Sequence, residues 1–89
     1  MTVPTHGELA GRVALVTGST DGIGLAVARA LAAQGCAVML NGFGEPQAIA
    51  SLCEELAVTH GVAVDHTSAD LMQEDQASGL VRRVLDRFG

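Results

Sequence analysis

The stretch Thr17-Gly18-Ser19-Thr20-Asp21-Gly22-Ile23-Gly24 holds the residues whose types and spacing most plainly bear chemistry. It follows the apolar run Val13-Ala14-Leu15-Val16 and precedes an alanine-rich segment, so it sits where a strand turns into a helix. At such a corner each glycine has a task. Gly18 can take the tight turn that leaves the strand. Gly22, without a side chain, lets an anionic group reach the backbone, and Gly24 lets the helix lie close to the sheet. The unpaired N–H groups of a helix's first turn, with the roughly +0.5 charge equivalent gathered there, attract phosphate. No lysine follows the last glycine, which disfavours a mononucleotide P-loop and leaves a pyrophosphate as the better guest. A glycine turn without a ligand is the bland alternative, and the strand–turn–helix context weighs against it.

The elements that must hold this corner can be read from periodicity. Arg12–Thr17 is expected to be a strand buried on both faces. From Gly22 to Gln34, Ile23, Val27 and Leu31 recur every four residues among alanines, giving a helix with one small-residue face that Gly35 stops. Ala37–Leu40 reads as a second buried strand, running into the loop Asn41-Gly42-Phe43-Gly44. Pro46 suits a helix's first turn, Ile49, Leu52, Cys53, Leu56 and Ala57 form one stripe, and Gly61 ends it. Val62–His66 is expected as a third strand, Ser68-Ala69-Asp70-Leu71 as the turn after it, and 73–88 as a last helix with Leu80, Val84 and Phe88 on its apolar face. Strand–helix alternation with short connections predicts an α/β fold with a parallel sheet. Right-handed crossovers give the spatial order 3-2-1, the N-terminal half of a Rossmann-like doubly wound sheet.

Composition narrows the function classes. The chain has 89 residues, 48% of them hydrophobic, a formal charge of −5, two Phe and no Tyr or Trp. Every basic residue is Arg (12, 29, 82, 83 and 87), so there is no Lys. An acidic chain without a basic run or aromatic platform argues against nucleic acid, and no stretch nears the ~20 apolar residues of a membrane span. Residues 1–10 form a polar leader with no secretory pattern, so a cytoplasmic location is expected. Cys36 and Cys53 show no ligand spacing and read as buried thiols, and His6, His60 and His66 as ordinary surface or strand-end histidines; no metal site is expected.

Thr-Gly-x-x-x-Gly-Ile-Gly, as it stands at 17–24, resembles the signature of the short-chain dehydrogenase/reductase family. The stretch Val16–Gly35, with Leu40-Asn41-Gly42-Phe43-Gly44, looks like the D-3-hydroxybutyrate dehydrogenase branch, and the similarity spans Gly11–Gly89. The resemblance implies an NAD-dependent oxidation of 3-hydroxybutyrate to acetoacetate. It also implies that Gly18, Ser19, Thr20, Gly22, Ile23 and Gly24 cradle the pyrophosphate and adjoining ribose, that the Asp70 carboxylate accepts from the adenine amino group, and that Leu71 packs on the ring. Phe43 is expected either to wall the adenine pocket or to be a core side chain. Asp70 can also cap the last helix, with Gln73 completing a capping box. The loop after the second strand normally reads the adenosine ribose, with an acid for NAD and Arg for NADP. Gly42 stands where many relatives carry the acid, no cation is near, and Glu45 would oppose a 2′-phosphate; NAD is therefore expected over NADP. Asp21 departs from the Ser common in similar hydroxybutyrate dehydrogenases; its carboxylate can cap the first helix, but a charge this close to a pyrophosphate must point away from it.

Hydride transfer from an alcohol needs a base for the hydroxyl proton. The family resembled uses a Tyr assisted by a Lys four residues on, together with a Ser and an Asn; with no Tyr and no Lys, this chain offers no catalytic residue of that kind. The expectation is a partial NAD-binding domain over 11–89 that stops before the catalytic half and is inactive alone. Its relatives are implied to be homo-oligomers, and its own uncovered edge favours self-association. Two alternatives stand beside this reading: another reductase of the family acting on a 3-oxoacyl or steroid-like substrate, and a non-catalytic nucleotide-binding or interaction module.

Overall fold

β-branched and apolar residues cluster in three short runs, and each run becomes a strand followed by a helix. In the computed structural model, which describes residues 9–89, the elements are β1 (Val13–Val16), α1 (Gly22–Ala33), β2 (Ala37–Asn41), α2 (Pro46–His60), β3 (Val64–Thr67) and α3 (Glu74–Phe88). Most of the leader at 1–10 lies outside the described residues. The strands are parallel in the order β1-β2-β3, which is the 3-2-1 arrangement expected. Val13 pairs with Ala37 and Val16 with Leu40, then Val38 with Val64 and Asn41 with Thr67. Because all three strands run the same way, the loops that follow them converge on one edge of the sheet.

β2 lies in the middle, and Val38, Met39 and Leu40 are completely buried. β1 is only half as expected. Val16 is buried, but Val13 and Leu15 are 43% and 36% exposed, because β1 is an outer strand and alternate side chains face opposite sides of a sheet. One face is covered by α1 and α2 around Val16, Val38, Leu40, Ala28, Ala32 and Leu56. On α1 the small residues, not the larger ones, face inward: Ala28 and Ala32 are buried while Ile23 and Val27 are exposed. Alanine lets the helix axis approach the sheet, and that closeness sets the distance between the α1 N-terminus and the strand ends.

The helix stops follow local chemistry. α2 begins at Pro46, with the Glu45 carboxylate accepting from the N–H groups of Gln47 and Ala48 at 3.1 and 2.8 Å. It ends at Gly61, whose φ of 65° is the left-handed cap a side chain would resist. β3 starts two residues later than expected, yet the Ala63 carbonyl already accepts from the Val38 N–H at 2.9 Å. α3 is held through buried Leu80 and through an Arg87–Asp65 ion pair at 3.2 Å, while Val81 and Leu85 remain exposed. Among the described residues, no helix is long and apolar enough to cross a membrane.

Candidate functional site

The corner between β1 and α1 is built from backbone. Gly18 and Gly22 have φ of 58° and 57°, and a Cβ at either would meet nothing within 4 Å. Gly24 is different, because a Cβ there would collide with the Gly18 carbonyl and stand 3.0 Å from the Ser19 Cα. The close approach expected of Gly24 is therefore made to the turn itself, folding the loop back over the helix start. Asp21 occupies the N-cap position of α1, but its side chain makes no capping bond. The Asp21 cap is not formed: the residue is extended and exposed, and it lines the cleft described below. The first bond into this turn is Leu25 N–H to the Asp21 carbonyl. The N–H groups of Gly22, Ile23 and Gly24 thus lie in the uncapped turn, where a helix has no acceptors of its own. Ile23 is 86% exposed beside them.

Ser19 has a different task from its neighbours. It is completely buried, and its hydroxyl donates to the Val16 carbonyl at 2.6 Å while accepting from the Asn41 N–H at 2.9 Å. Its own N–H donates to the Asn41 carbonyl at 2.8 Å. Both polar groups of Ser19 are therefore spent on joining the ends of β1 and β2, so it shapes the cradle from beneath and offers its hydroxyl to no guest. Asn41, also buried, passes the connection on: its Nδ2 donates to the Thr67 and Ala69 carbonyls, each at 3.2 Å. One buried polar chain thus ties together the three strand ends. Sequence reasoning did not assign Asn41 to the site; its place at the head of the loop after β2 was the available signal.

Thr20 and His66 hold the loop after β2. The Thr20 hydroxyl donates to the Phe43 carbonyl at 3.0 Å, and a Cβ at Gly42 would stand 2.8 Å from the same hydroxyl. His66 Nε2 lies 2.7 Å from the Gly42 carbonyl, and the Gly42 N–H donates to the Thr67 carbonyl at 3.3 Å. Phe43 is 66% exposed, so it is not a core side chain. His66 is accordingly more than a strand-end side chain.

Asp70 does not cap α3. That helix starts at Glu74 with Gln73 as its N-cap residue and no side-chain cap bond. Instead the Asp70 carboxylate accepts from the Met72 N–H at 3.0 Å in a local turn, and the Asp70 N–H donates to Gln76, not Gln73, at 2.8 Å. The bend after β3 uses up the residues that a capping box would need. One carboxylate oxygen of Asp70 stays outside these bonds. Asp70, Leu71 and Met72 form one side of a cleft of about 420 Å³, with Gly42 and Phe43 on another and Gly18 and Thr20 at its end. The structure therefore brings Gly18, Thr20, Phe43, Asp70 and Leu71 to one cleft, with Gly22, Ile23 and Gly24 beside it at the helix start. No cation lines it.

Cys36 is buried, but Cys53 is only half-buried, so the expectation of two buried thiols holds for one. Burial, and then the nearby Asp65 charge, push the Cys53 thiol above its ordinary pKa. It lines a second cleft between α2 and β3, on the far side of Phe43.

The short chain dehydrogenase family model matches residues 12–89. The chain is 42% identical over 78 residues to D-beta-hydroxybutyrate dehydrogenase of Rhizobium meliloti, covering 88% of this chain and 30% of that protein. It is 41% identical over 81 residues to 2,3-dihydroxy-2,3-dihydro-p-cumate dehydrogenase of Pseudomonas putida, covering 91% and 31%. L-sorbose reductase from Gluconobacter frateurii, crystallised with NADPH and L-sorbose, superposes with a TM-score of 0.81 at 30% identity, over 94% of this chain and 31% of that one. The chain thus spans less than a third of the length of these curated relatives. On the family match and these identities, it belongs to the short-chain dehydrogenase family.

Proposed function

We propose that these residues form the dinucleotide-holding part of an alcohol oxidoreductase. The carrying observation is the uncapped first turn of α1, open at two glycines with no Cβ, next to a cleft formed by the loops after all three strands. That arrangement fits a nicotinamide dinucleotide. The N–H groups of Gly22, Ile23 and Gly24 would meet the pyrophosphate, helped by the positive end of the helix. The free carboxylate oxygen of Asp70 would accept from the adenine amino group, with Leu71 and Phe43 against the ring. Gly18 keeps the entrance clear, Thr20 holds the Phe43 wall, and Ser19 supports the corner from beneath instead of meeting the guest. The nicotinamide, when bound, supplies a hydride acceptor or donor.

Within that reading, the local charge argues for NAD. NADPH in the sorbose reductase crystal shows that a relative's site takes a 2′-phosphate. Here the cleft has no cation and Glu45 lies just beyond Gly44, so a 2′-phosphate finds no partner. The likeness to a hydroxybutyrate dehydrogenase supports 3-hydroxybutyrate as the substrate of the full oxidoreductase, though a dihydrodiol dehydrogenase is as similar. These 89 residues contain neither Tyr nor Lys, so a Tyr–Lys base pair cannot come from them, and the chain by itself binds without turnover.

Titration of the chain with ADP-ribose and NAD tests the reading. Saturable binding, lost in Gly22→Val with the far-ultraviolet dichroism unchanged, is the expected result. Undiminished binding in that variant would remove the cradle. NADP binding more tightly than NAD would overturn the cofactor preference.

A further inference from the structure

Phe43 separates two clefts, the one ending at Asp70–Met72 and another between α2 and β3. It stands between Gly42 and Gly44, and a residue flanked by glycines costs more conformational entropy to fix than most. Yet the loop's carbonyls are gripped from both sides. Thr20 donates to the Phe43 carbonyl from the cofactor-loop side at 3.0 Å. From the opposite side, His66 Nε2 reaches the Gly42 carbonyl at 2.7 Å, shorter than the Thr20 bond. A carbonyl only accepts, so Nε2 carries the hydrogen. Position 42 must remain glycine for this to close, because a Cβ there would press on the Thr20 side chain.

We infer that His66 is a positioning residue for the adenosine end of the dinucleotide site, fixing the Phe43 wall through the Gly42 carbonyl. This rests on the dinucleotide reading above and deepens it. His66 lines the second cleft and not the adenosine cleft, so it acts from behind the wall without touching the guest. The interaction needs a donor at the Nε2 position. Glutamine can place its amide there, whereas asparagine reaches only as far as Nδ1 would.

The test is ADP-ribose titration of the 89-residue chain, its His66→Leu, His66→Gln and His66→Asn variants, Phe43→Ala, and the Phe43→Ala/His66→Leu double variant. Losing a donor to a part-buried carbonyl should weaken His66→Leu binding about five- to tenfold, and His66→Gln should return to within about twofold of wild type. In the Phe43→Ala background, His66→Leu should have little further effect, since the two residues act through one wall. A His66→Leu variant that binds as wild type, or a loss that persists undiminished without Phe43, overturns the inference. Should His66→Leu fail to fold, Gln against Asn decides: equal affinity overturns it, and Gln alone binding as wild type supports it. Absence of ADP-ribose binding by the unmutated chain removes the dinucleotide reading itself, and this one with it.

Discussion

Gly24 lies so close over the Gly18 carbonyl that one added methyl group cannot be accommodated. The atoms in conflict are backbone on both sides, so no rotamer change relieves the contact. Gly24→Ala is expected to destabilise the chain by about 1–3 kcal/mol, as overpacking does. The urea midpoint should fall, and ADP-ribose binding should fall with it, because the loop can yield only by leaving the helix start. An unchanged midpoint would show that the loop tolerates the methyl by moving.

Ser19→Ala should cost stability without removing any group a ligand could touch. It deletes the acceptor of the buried Asn41 N–H and the donor to the Val16 carbonyl. Leaving buried partners unsatisfied costs about 1–3 kcal/mol. Equilibrium denaturation reads this directly. If the variant keeps wild-type stability, the Ser19–Asn41 link is not what joins the strand ends.

The two cysteines should separate by reactivity. Cys36 is buried under the core, while Cys53 is half-buried with its thiol pushed up by burial and by Asp65. Only a thiolate reacts quickly. Alkylation near neutral pH should therefore be slow at Cys53 and slower still at Cys36, with both becoming fast in urea; peptide mapping of the labelled sites checks it. Fast labelling of Cys36 in the folded chain would contradict the burial.

Arg29 and Glu55 join α1 to α2 through two bonds of 2.9 and 3.1 Å on the exposed surface. The Arg29 hydrogen bond holds the Glu55 carboxyl below its ordinary pKa, with desolvation opposing and weaker charge attraction from Arg29 and His60 adding. A carboxylate whose folded pKa is depressed contributes stability above its unfolded pKa and loses it as pH falls through the folded value. Solvent and salt keep this contribution small. Glu55→Gln should lower the urea midpoint slightly at neutral pH and low salt, and not at all well below the carboxylate range. A difference that survives in acid would place its cause elsewhere.

Exposed Val13 and Leu15 on β1, with Val81 and Leu85 on α3, leave apolar surface and an unpaired strand edge in water. Such surfaces favour association. Sedimentation should show concentration-dependent oligomers, reduced by Leu15→Lys. A strictly monomeric wild type would argue that α3 shields more than its exposed residues suggest.

The sequence made the strand–helix order, the parallel sheet and the glycine corner legible because each depends on local pattern: buried runs, a small-residue helix face, Pro46 and Gly61 at helix limits. What stayed hidden depends on which way a polar side chain turns. Ser19 sits inside the glycine-rich corner yet faces the core, and nothing in its neighbours announces that. Asp21 and Asp70 both have N-cap chemistry, but the backbone takes Asp70 into its own turn and leaves Asp21 facing water. The grip of His66 on Gly42 joins β3 to the loop after β2, two residues beyond the Leu40 that His66 faces in the register, and depends on which way the imidazole turns.

The parallel sheet also separates the molecule into two ends with unequal duties. Arg12, Gly35 and Gly61 gather at the strand starts, where Arg87 and Phe88 bring the α3 terminus beside them. A fluorophore or surface linkage attached at that end would sit a full strand length from the cleft. Immobilised this way, the chain would present its cleft outward, clear of the support.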